Sequence, residues 1–401
     1  MKTEAGSLGS MRAAPEAPLE EPGTSRRRSI VAAVWLLGVF GVWRLVLHAV
    51  GHFAKASLQP NPLLAQWQAT KRGLGIWNQW DANYYLSIAA RGYDRPDWPA
   101  FFPLYPLLVR AVRLVFFNAI SLDAAALLTN IFLAGASVVL LYLLGRRLFD
   151  DATGKRAAFY MLAFPTAVFL GVAYSESLYL TTTIAAFYAA ERKQWWLAGV
   201  MGALASATRL TGVLVLPALV IAYLHAKRWR LRDLGLAWLW LGSIPLGVIG
   251  YFAFLEASGK GWWGYFEALE IGWPGRSLSW NLLSTPFVDV LPLFRGDKGD
   301  VWGGFVALID FVAIVGATAG LFVIWRKLPK HYFVYSALIL SAVLASSIPV
   351  GASRYVLGMF PLFLVLGEAG RKVTVDRFYI LIAIPLLGIF TAMYATGYWI
   401  G

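Results

Sequence analysis

Between Trp80 and Pro106 the chain reads WDANYYLSIAARGYDRPDWPAFFPLYP. Three carboxylates (Asp81, Asp94, Asp97), two arginines (Arg91, Arg95), eight aromatic rings and four prolines fall in this stretch. Set against lipid, each charge would be unpaired in hydrocarbon. The stretch therefore reads as a compact loop on a membrane surface, where ionisable groups are gathered for chemistry. Asp81 stands beside Trp80 and just before Tyr84 and Tyr85. A carboxylate among rings at a bilayer surface is partly desolvated and can serve as a base. The alternative is a helix cap or first-turn residue opening the segment 82–90. Asp94 and Asp97, three apart in a Pro-containing turn, suit a hard divalent cation such as Mg²⁺ or Mn²⁺, or are only a solvated turn. No other cofactor is indicated.

Further along, Arg209 and Arg354 interrupt apolar runs. An arginine within a membrane needs a partner. That partner is either an anionic phosphate held bidentately or a carboxylate such as Glu176. Glu176 lies in the turn Tyr174-Ser175-Glu176-Ser177, where it neighbours a helix start or contacts a substrate. Arg44, in the outer third of the first span, is explained by snorkelling. Asp310 lies well inside a span and must be neutralised or paired; no role for it is evident. His48 and His52 share a helical face, but with no third ligand near they make a poor zinc site.

The elements that carry these residues are membrane helices. The 401 residues are 59% hydrophobic and 14% charged, with a mean hydropathy of +0.61. That composition belongs to an all-α polytopic membrane protein rather than to several soluble domains. The formal net charge of +13 comes largely from Lys/Arg clusters between apolar runs. Such clusters mark cytoplasmic loops, not a nucleic-acid surface. There is no cysteine, so neither a disulfide framework nor a thiolate metal site exists.

Residues 1–29 read as a disordered cytoplasmic tail. A span at 30–50 follows, and the transmembrane domain runs over 30–401. An outer loop occupies about 51–123, with 107–117 as an amphipathic piece along the interface. Spans are expected at 124–144, 157–173 and 178–190. The segment 197–224 must split at 208–212 to keep its basic flanks on one side, with its irregular backbone satisfied by protein or water. A span at 234–255 leads to a second outer loop, 256–301, whose Trp262, Trp263, Trp273 and Trp280 form an interfacial belt. Spans at 302–325, 332–348, 355–367 and 378–398 complete about eleven, three of them short. On this topology Asp81, Glu176, Arg209 and Arg354 share the outer face and are expected to converge in one pocket. No Walker loop, dinucleotide glycine fingerprint or nucleophile elbow occurs. An outer-face site also has no easy access to cytoplasmic nucleotide sugars, so a lipid-carried activated donor fits better.

Several segments resemble the PIG-V (GPI mannosyltransferase 2) family. They are Trp80-Asp81-Ala82, Tyr85-Leu86, Ile88-Ala89, Gly92-Tyr93 and Ala100-Phe101-Phe102-Pro103-Leu104-Tyr105-Pro106, then Phe164-Pro165, Phe169 and Tyr174-Ser175-Glu176-Ser177-Leu178. Arg209 with Gly212, and Ser353-Arg354-Tyr355 with Phe360-Pro361, extend the likeness to about residue 370. The resemblance implies a GT-C-like fold with a large first extracytoplasmic loop carrying the catalytic Asp, here Asp81. It also implies mannose donated by a polyprenyl phosphate to an acceptor hydroxyl in one inverting displacement, with Arg209 and Arg354 on the phosphate. Trp80, Tyr84, Tyr85, Arg91, Tyr93, Asp94, Asp97, Tyr174 and Glu176 join them as candidate substrate-binding residues. The chain is short for a eukaryotic member. As a prokaryotic homologue it would act on a glycolipid, glycan or protein acceptor at the cell membrane; a eukaryotic one would sit in the endoplasmic reticulum membrane. Two other expectations remain: a transporter or flippase of a lipid-linked sugar, and a non-catalytic subunit in which Asp81 is buried in an ion pair.

Overall fold

The computed structural model describes residues 22–274, 301–345 and 351–401, and every regular element among them is a helix. In chain order the α-helices are α1 (Pro22–Ser57), α2 (Ala65–Thr70), α3 (Asp81–Arg91), α4 (Leu104–Val115), α5 (Leu122–Leu148), α6 (Asp151–Ala163), α7 (Glu176–Glu191) and α8 (Trp195–Thr208). They continue with α9 (Val215–Ala226), α10 (Leu246–Ala257), α11 (Gly264–Gly272), α12 (Val301–Lys327), α13 (Lys330–Leu344), α14 (Ala352–Leu357), α15 (Phe360–Ala369) and α16 (Val373–Ala395). α1, α5, α12 and α16 are long and apolar enough to cross a membrane. A fifth span arises if the 3₁₀ segment Leu236–Ser243 and α10 are joined across their 41° bend. α8, α9, α13 and α15 are apolar but shorter than the roughly 20 residues a bilayer needs. Against the eleven spans expected, the described residues thus give four or five by length and composition, and four shorter apolar helices.

α7 sits at the centre of the bundle. Residues on all its faces are buried, from Leu178 and Leu180 to Thr183, Phe187 and Ala190. A helix apolar all round is the kind that belongs inside a bundle. α5 and α6 cross where Gly145 meets Gly154, since a Cβ at Gly145 would lie 2.8 Å from the Gly154 Cα. Small residues at such crossings let helix backbones approach closely.

The bundle has two chemically different ends. At one, Arg371 pairs with Asp150 and Lys327 with Glu368. There too His331 lies 3.3 Å from Glu191, and Lys155 pairs with Asp151 at 2.6 Å. These are the Lys/Arg-rich connections that the sequence assigns to the cytoplasm. Glu191 closes α7 at this end and Glu176 opens it at the other, about 22 Å away at 1.5 Å per residue.

Several boundaries depart from the sequence reading. α1 begins at Pro22 and ends at Ser57, so residues 22–29 are helical rather than disordered, and the helix continues past 50. Once nucleated, helix propagates at little cost, and basic side chains near a span's end reach the interface without breaking it. The expected tail before Pro22, Trp280, and Pro349-Val350 lie outside the described residues. The segment expected to span 157–173 stops being helical at Ala163, because Phe164 precedes Pro165 and the residue before a proline leaves the α region. The expected span 234–255 is bent at Pro245. The expected helix 355–367 is two helices, with Pro361 in the first turn of the second, a position where its missing N–H costs nothing.

Candidate active site

Four charged groups from four distant parts of the chain meet at the end of the bundle opposite the basic clusters. Arg354 Nη1 lies 2.9 Å from Asp81 Oδ2, and its Nε lies 2.7 Å from Glu176 Oε1. Arg209 Nη2 pairs with the same Glu176 oxygen. The Glu176 side chain is 3% exposed, Arg354 8%, and Asp81 and Arg209 14% each. Two guanidinium groups and two carboxylates thus share one nearly dry volume, and Glu176 is the counter-ion common to both arginines.

Each charge is delivered by a specific feature of the backbone. Asp81 is the first residue of α3. Trp80 before it occupies the N-cap position without a capping side-chain bond. Its φ of +51° places a bulky residue in the left-handed region, at a cost of about 1–3 kcal/mol. This bend turns the chain so that the Asp81 carboxylate leaves its own helix end and reaches Arg354. Asp81 is thus a first-turn residue of α3, one of the two alternatives for it, and pairs with Arg354 at the same time, while the N-cap position itself is held by Trp80. The Asp81 N–H donates to Tyr174 Oη at 3.2 Å, tying α3 to the turn before α7. Glu176 opens α7. Arg209 occupies the extended residue between α8 and the 3₁₀ turn Leu210–Leu214 (φ −156°, ψ 149°), which is the break the sequence requires. Arg354 lies on α14, a six-residue helix.

Neutral groups hold the arginines from behind. Arg209 Nε donates to Ser175 Oγ at 2.9 Å, and Ser175 Oγ is 2.8 Å from Tyr85 Oη. Burial pushes the Tyr85 phenol up to about 12, so it remains a neutral hydroxyl at physiological pH. Arg354 lies over the rings of Tyr174 (4.9 Å), Phe169 (5.3 Å) and Tyr355 (5.7 Å). Arg209 lies 5.8 Å from the Tyr179 ring centroid. Cation–π contacts of this kind are worth more when desolvated. The Trp80 ring packs edge-on to Trp399 at 5.3 Å, and its Nε1 is buried without a hydrogen-bond partner. Gly401 packs against Arg354 Cβ and the Phe169 ring, so residues 399–401 wall one side of the cluster.

Among the expected site residues, Trp80, Asp81, Tyr85, Tyr174, Glu176, Arg209 and Arg354 come together. Tyr84 borders them, stacked on Phe101 at 4.7 Å; burial first, then the Asp97 and Asp81 charges, push its phenol up. The others stand apart. Arg91 and Asp94 form an exposed ion pair at 3.1 Å. Asp97 faces Arg95 at 3.5 Å. Each aspartate thus has an arginine of its own. No group of three or more His, Asp or Glu suited to a metal ion occurs among the described residues. Tyr93 donates to the Phe101 carbonyl at 2.7 Å and packs on Tyr251, a structural role. Arg44 does not snorkel: its Nη1 is buried against Gly171. Sequence reasoning missed Ser175, Tyr179, Tyr355 and Trp399. Ser175 was within sight, in the segment that supplied Tyr174 and Glu176.

Chemically, a guanidinium has five N–H donors in a planar fork. The contacts to Ser175, Glu176 and Asp81 use only some of those on Arg209 and Arg354. Asp81 is the less buried of the two carboxylates. The cluster can therefore present hydrogen-bond donors to an anion while keeping one carboxylate within reach of a second molecule.

Comparison with known proteins bears on which molecules these are. Residues 49–237 match the family model described as mannosyltransferase (PIG-V). Over 148 residues the chain is 34% identical to the GPI alpha-1,6-mannosyltransferase 2 of Rattus norvegicus, covering 35% of this chain and 30% of the rat protein. Over 130 residues it is 34% identical to the GPI mannosyltransferase 2 of Drosophila melanogaster, covering 30% of this chain and 29% of the fly protein. The chain thus spans under a third of the length of the curated relatives it matches. The crystal structure of ArnT from Cupriavidus metallidurans bound to undecaprenyl phosphate superposes with a TM-score of 0.51 at 14% identity. That match covers 90% of this chain and 77% of ArnT, and it identifies the fold as a GT-C-like helical bundle.

Proposed function

We propose that the chain, whose residues 49–237 match the family model described as mannosyltransferase (PIG-V), is an inverting glycosyltransferase. It moves a sugar, mannose, from a polyprenyl-phosphate donor to an acceptor hydroxyl at the extracytoplasmic or lumenal face of its membrane. The acceptor is a glycolipid, glycan or protein. The observation that carries the proposal is the contact of Asp81 with Arg354, in a cluster where Glu176 already serves as counter-ion to both arginines. Asp81, the more exposed of the two carboxylates, is the one assigned to proton transfer in this proposal.

In the proposed reaction, Asp81 accepts the proton of the acceptor hydroxyl. The hydroxyl oxygen forms a bond to the anomeric carbon from the face opposite the phosphate. The bond from that carbon to the phosphate oxygen breaks, and its electron pair leaves on the lipid phosphate. Remaining N–H donors of Arg209 and Arg354 receive the growing charge on that oxygen, an interaction strongest in the transition state. The aromatic walls from Phe169, Tyr174 and Tyr355 keep the arginines desolvated, which strengthens each contact.

The test is transfer of labelled mannose from polyprenyl-phosphate-mannose to membrane extract by purified protein. Asp81→Asn is expected to bind the donor with near-normal affinity and to transfer about 10²–10⁴-fold more slowly. Wild-type rates in that variant would sink the assignment.

One observation favours a second reading: Asp81 is largely buried in an ion pair, as a purely structural cluster in a non-catalytic subunit would have it. On that reading the wild-type protein transfers no sugar, and Asp81→Asn alters only stability. The broken helix at Arg209 is the corresponding observation for a flippase, which would move the lipid-linked sugar across liposomes without making a glycosidic bond.

A further inference from the structure

Asp310 is a buried carboxylate with no part in the proposed reaction. It lies on α12, 5% exposed. Its two oxygens are divided between two backbone donors: the Gly351 N–H donates to Oδ2 and the Ser353 N–H to Oδ1, each at 2.8 Å. These amides belong to the entry of α14, where a helix leaves its first N–H groups without intrahelical acceptors. Charge-assisted hydrogen bonds of a carboxylate to such amides are short and strong.

The residue after Ser353 is Arg354. Its helix has six residues, fewer than two turns. A helix that short has almost no stability of its own, because nucleation is costly and few hydrogen bonds follow. The chain enters it through Gly351 at φ +85°, a conformation that side-chain-bearing residues rarely adopt. A Cβ there would also lie 2.6 Å from the Gly401 carbonyl carbon. Nothing local to α14 therefore fixes the Arg354 Cα; a contact from another element must.

We infer that Asp310 is a positioning residue: it clamps the amides of Gly351 and Ser353 and so fixes where Arg354 delivers its guanidinium between Asp81 and Glu176. Two acceptors are required, one for each N–H. Asparagine has a single carbonyl oxygen, and its NH₂ would face a donor. The side-chain type inside the span is thereby accounted for.

The inference rests on reading Arg354 as a phosphate ligand, so the experiment separates the two claims. Full-length wild type, Asp310→Asn, Arg354→Ala and the double variant are purified in detergent. Each is measured for binding of undecaprenyl phosphate and for hydrogen exchange over 351–357. Asp310→Asn is expected to weaken binding about tenfold and to speed exchange in that peptide. It should elute at the wild-type position on gel filtration. In the Arg354→Ala background, Asp310→Asn should cause no further loss of binding, because residues acting through one another are non-additive. A merely structural Asp310 would give additive losses, and that result overturns the inference. So does unchanged exchange over 351–357 in Asp310→Asn. If wild type fails to bind the lipid phosphate, the functional reading falls, while the exchange data still decide whether the clamp exists. Should Asp310→Asn not fold, Asp310→Glu, which keeps both oxygens on a longer arm, gives the same read-outs in milder form.

Discussion

Glu176 is the residue on which the cluster's stability turns. It is buried between Arg209 and Arg354; without it Arg209 would keep only the Ser175 hydroxyl and Arg354 only Asp81. Removing one partner of a buried ion pair costs about 3–5 kcal/mol, because the remaining charge is uncompensated. Glu176→Ala is therefore expected to lower the melting temperature sharply in detergent, or to abolish a monodisperse gel-filtration peak. Arg91→Ala, which breaks the exposed pair with Asp94, should change stability by no more than about 1 kcal/mol. The Arg91–Asp94 pair is three residues apart and exposed, whereas Glu176 meets arginines far away along the chain and is buried with them. Arg209 and Arg354 could be picked out because they interrupt apolar runs; Asp81 and Glu176 were legible through the loop and the turn that hold them. Arg91 and Asp94 pair with each other at the surface, and Asp97 lies beside Tyr84 at the border of the cluster, contacts that the sequence does not display. Asp310 was visible as an anomaly, but its partners are backbone amides, which sequence does not display.

At the scale of the element, the break at Arg209 is the most informative. Basic residues flanking both sides of 197–224 required it, and α8 does end at Thr208. What the pattern could not convey is why Gly212 is part of it. A Cβ at Gly212 would lie 2.1 Å from the Ala205 carbonyl oxygen, so the 3₁₀ turn folds directly onto the backbone of the preceding helix. Gly212→Val is expected to push this turn away, carrying Arg209 off Glu176. Sugar transfer should fall at least tenfold, with a smaller loss of thermal stability than in Glu176→Ala. An unchanged transfer rate would show that the close approach is dispensable. Helix ends elsewhere followed local chemistry that can be read, such as Pro165 ending α6 and Pro361 opening α15. The extension of α1 beyond both expected ends could not be read, because polar and basic residues at the ends of a span do not interrupt a helix already nucleated.

For the whole molecule, the separation of a basic end from the Asp81 end gives the topology a physical form. Lys/Arg clusters are retained on the cytoplasmic side during insertion, so the cluster is expected to open on the opposite side. The absence of any cysteine makes this directly measurable. Arg95→Cys and Arg192→Cys, both at exposed positions, should react with a membrane-impermeant maleimide from opposite sides of intact cells or vesicles. Arg95→Cys should label from outside, and Arg192→Cys only after permeabilisation. The reverse pattern would place the site in the wrong compartment for the proposed donor.

The equal number of positive and negative groups in the cluster has a kinetic corollary. Two bare guanidinium ions in a dry cavity would be a trap, because the lipid phosphate released at the end of a cycle would be held as firmly as the donor that brought it. With Glu176 permanently shared between them, the departing anion competes against a resident one. On the proposed reaction, the lipid phosphate would leave faster than from two bare guanidinium ions, and the donor, whose phosphate meets the same counter-ion, would be held less firmly by the same measure.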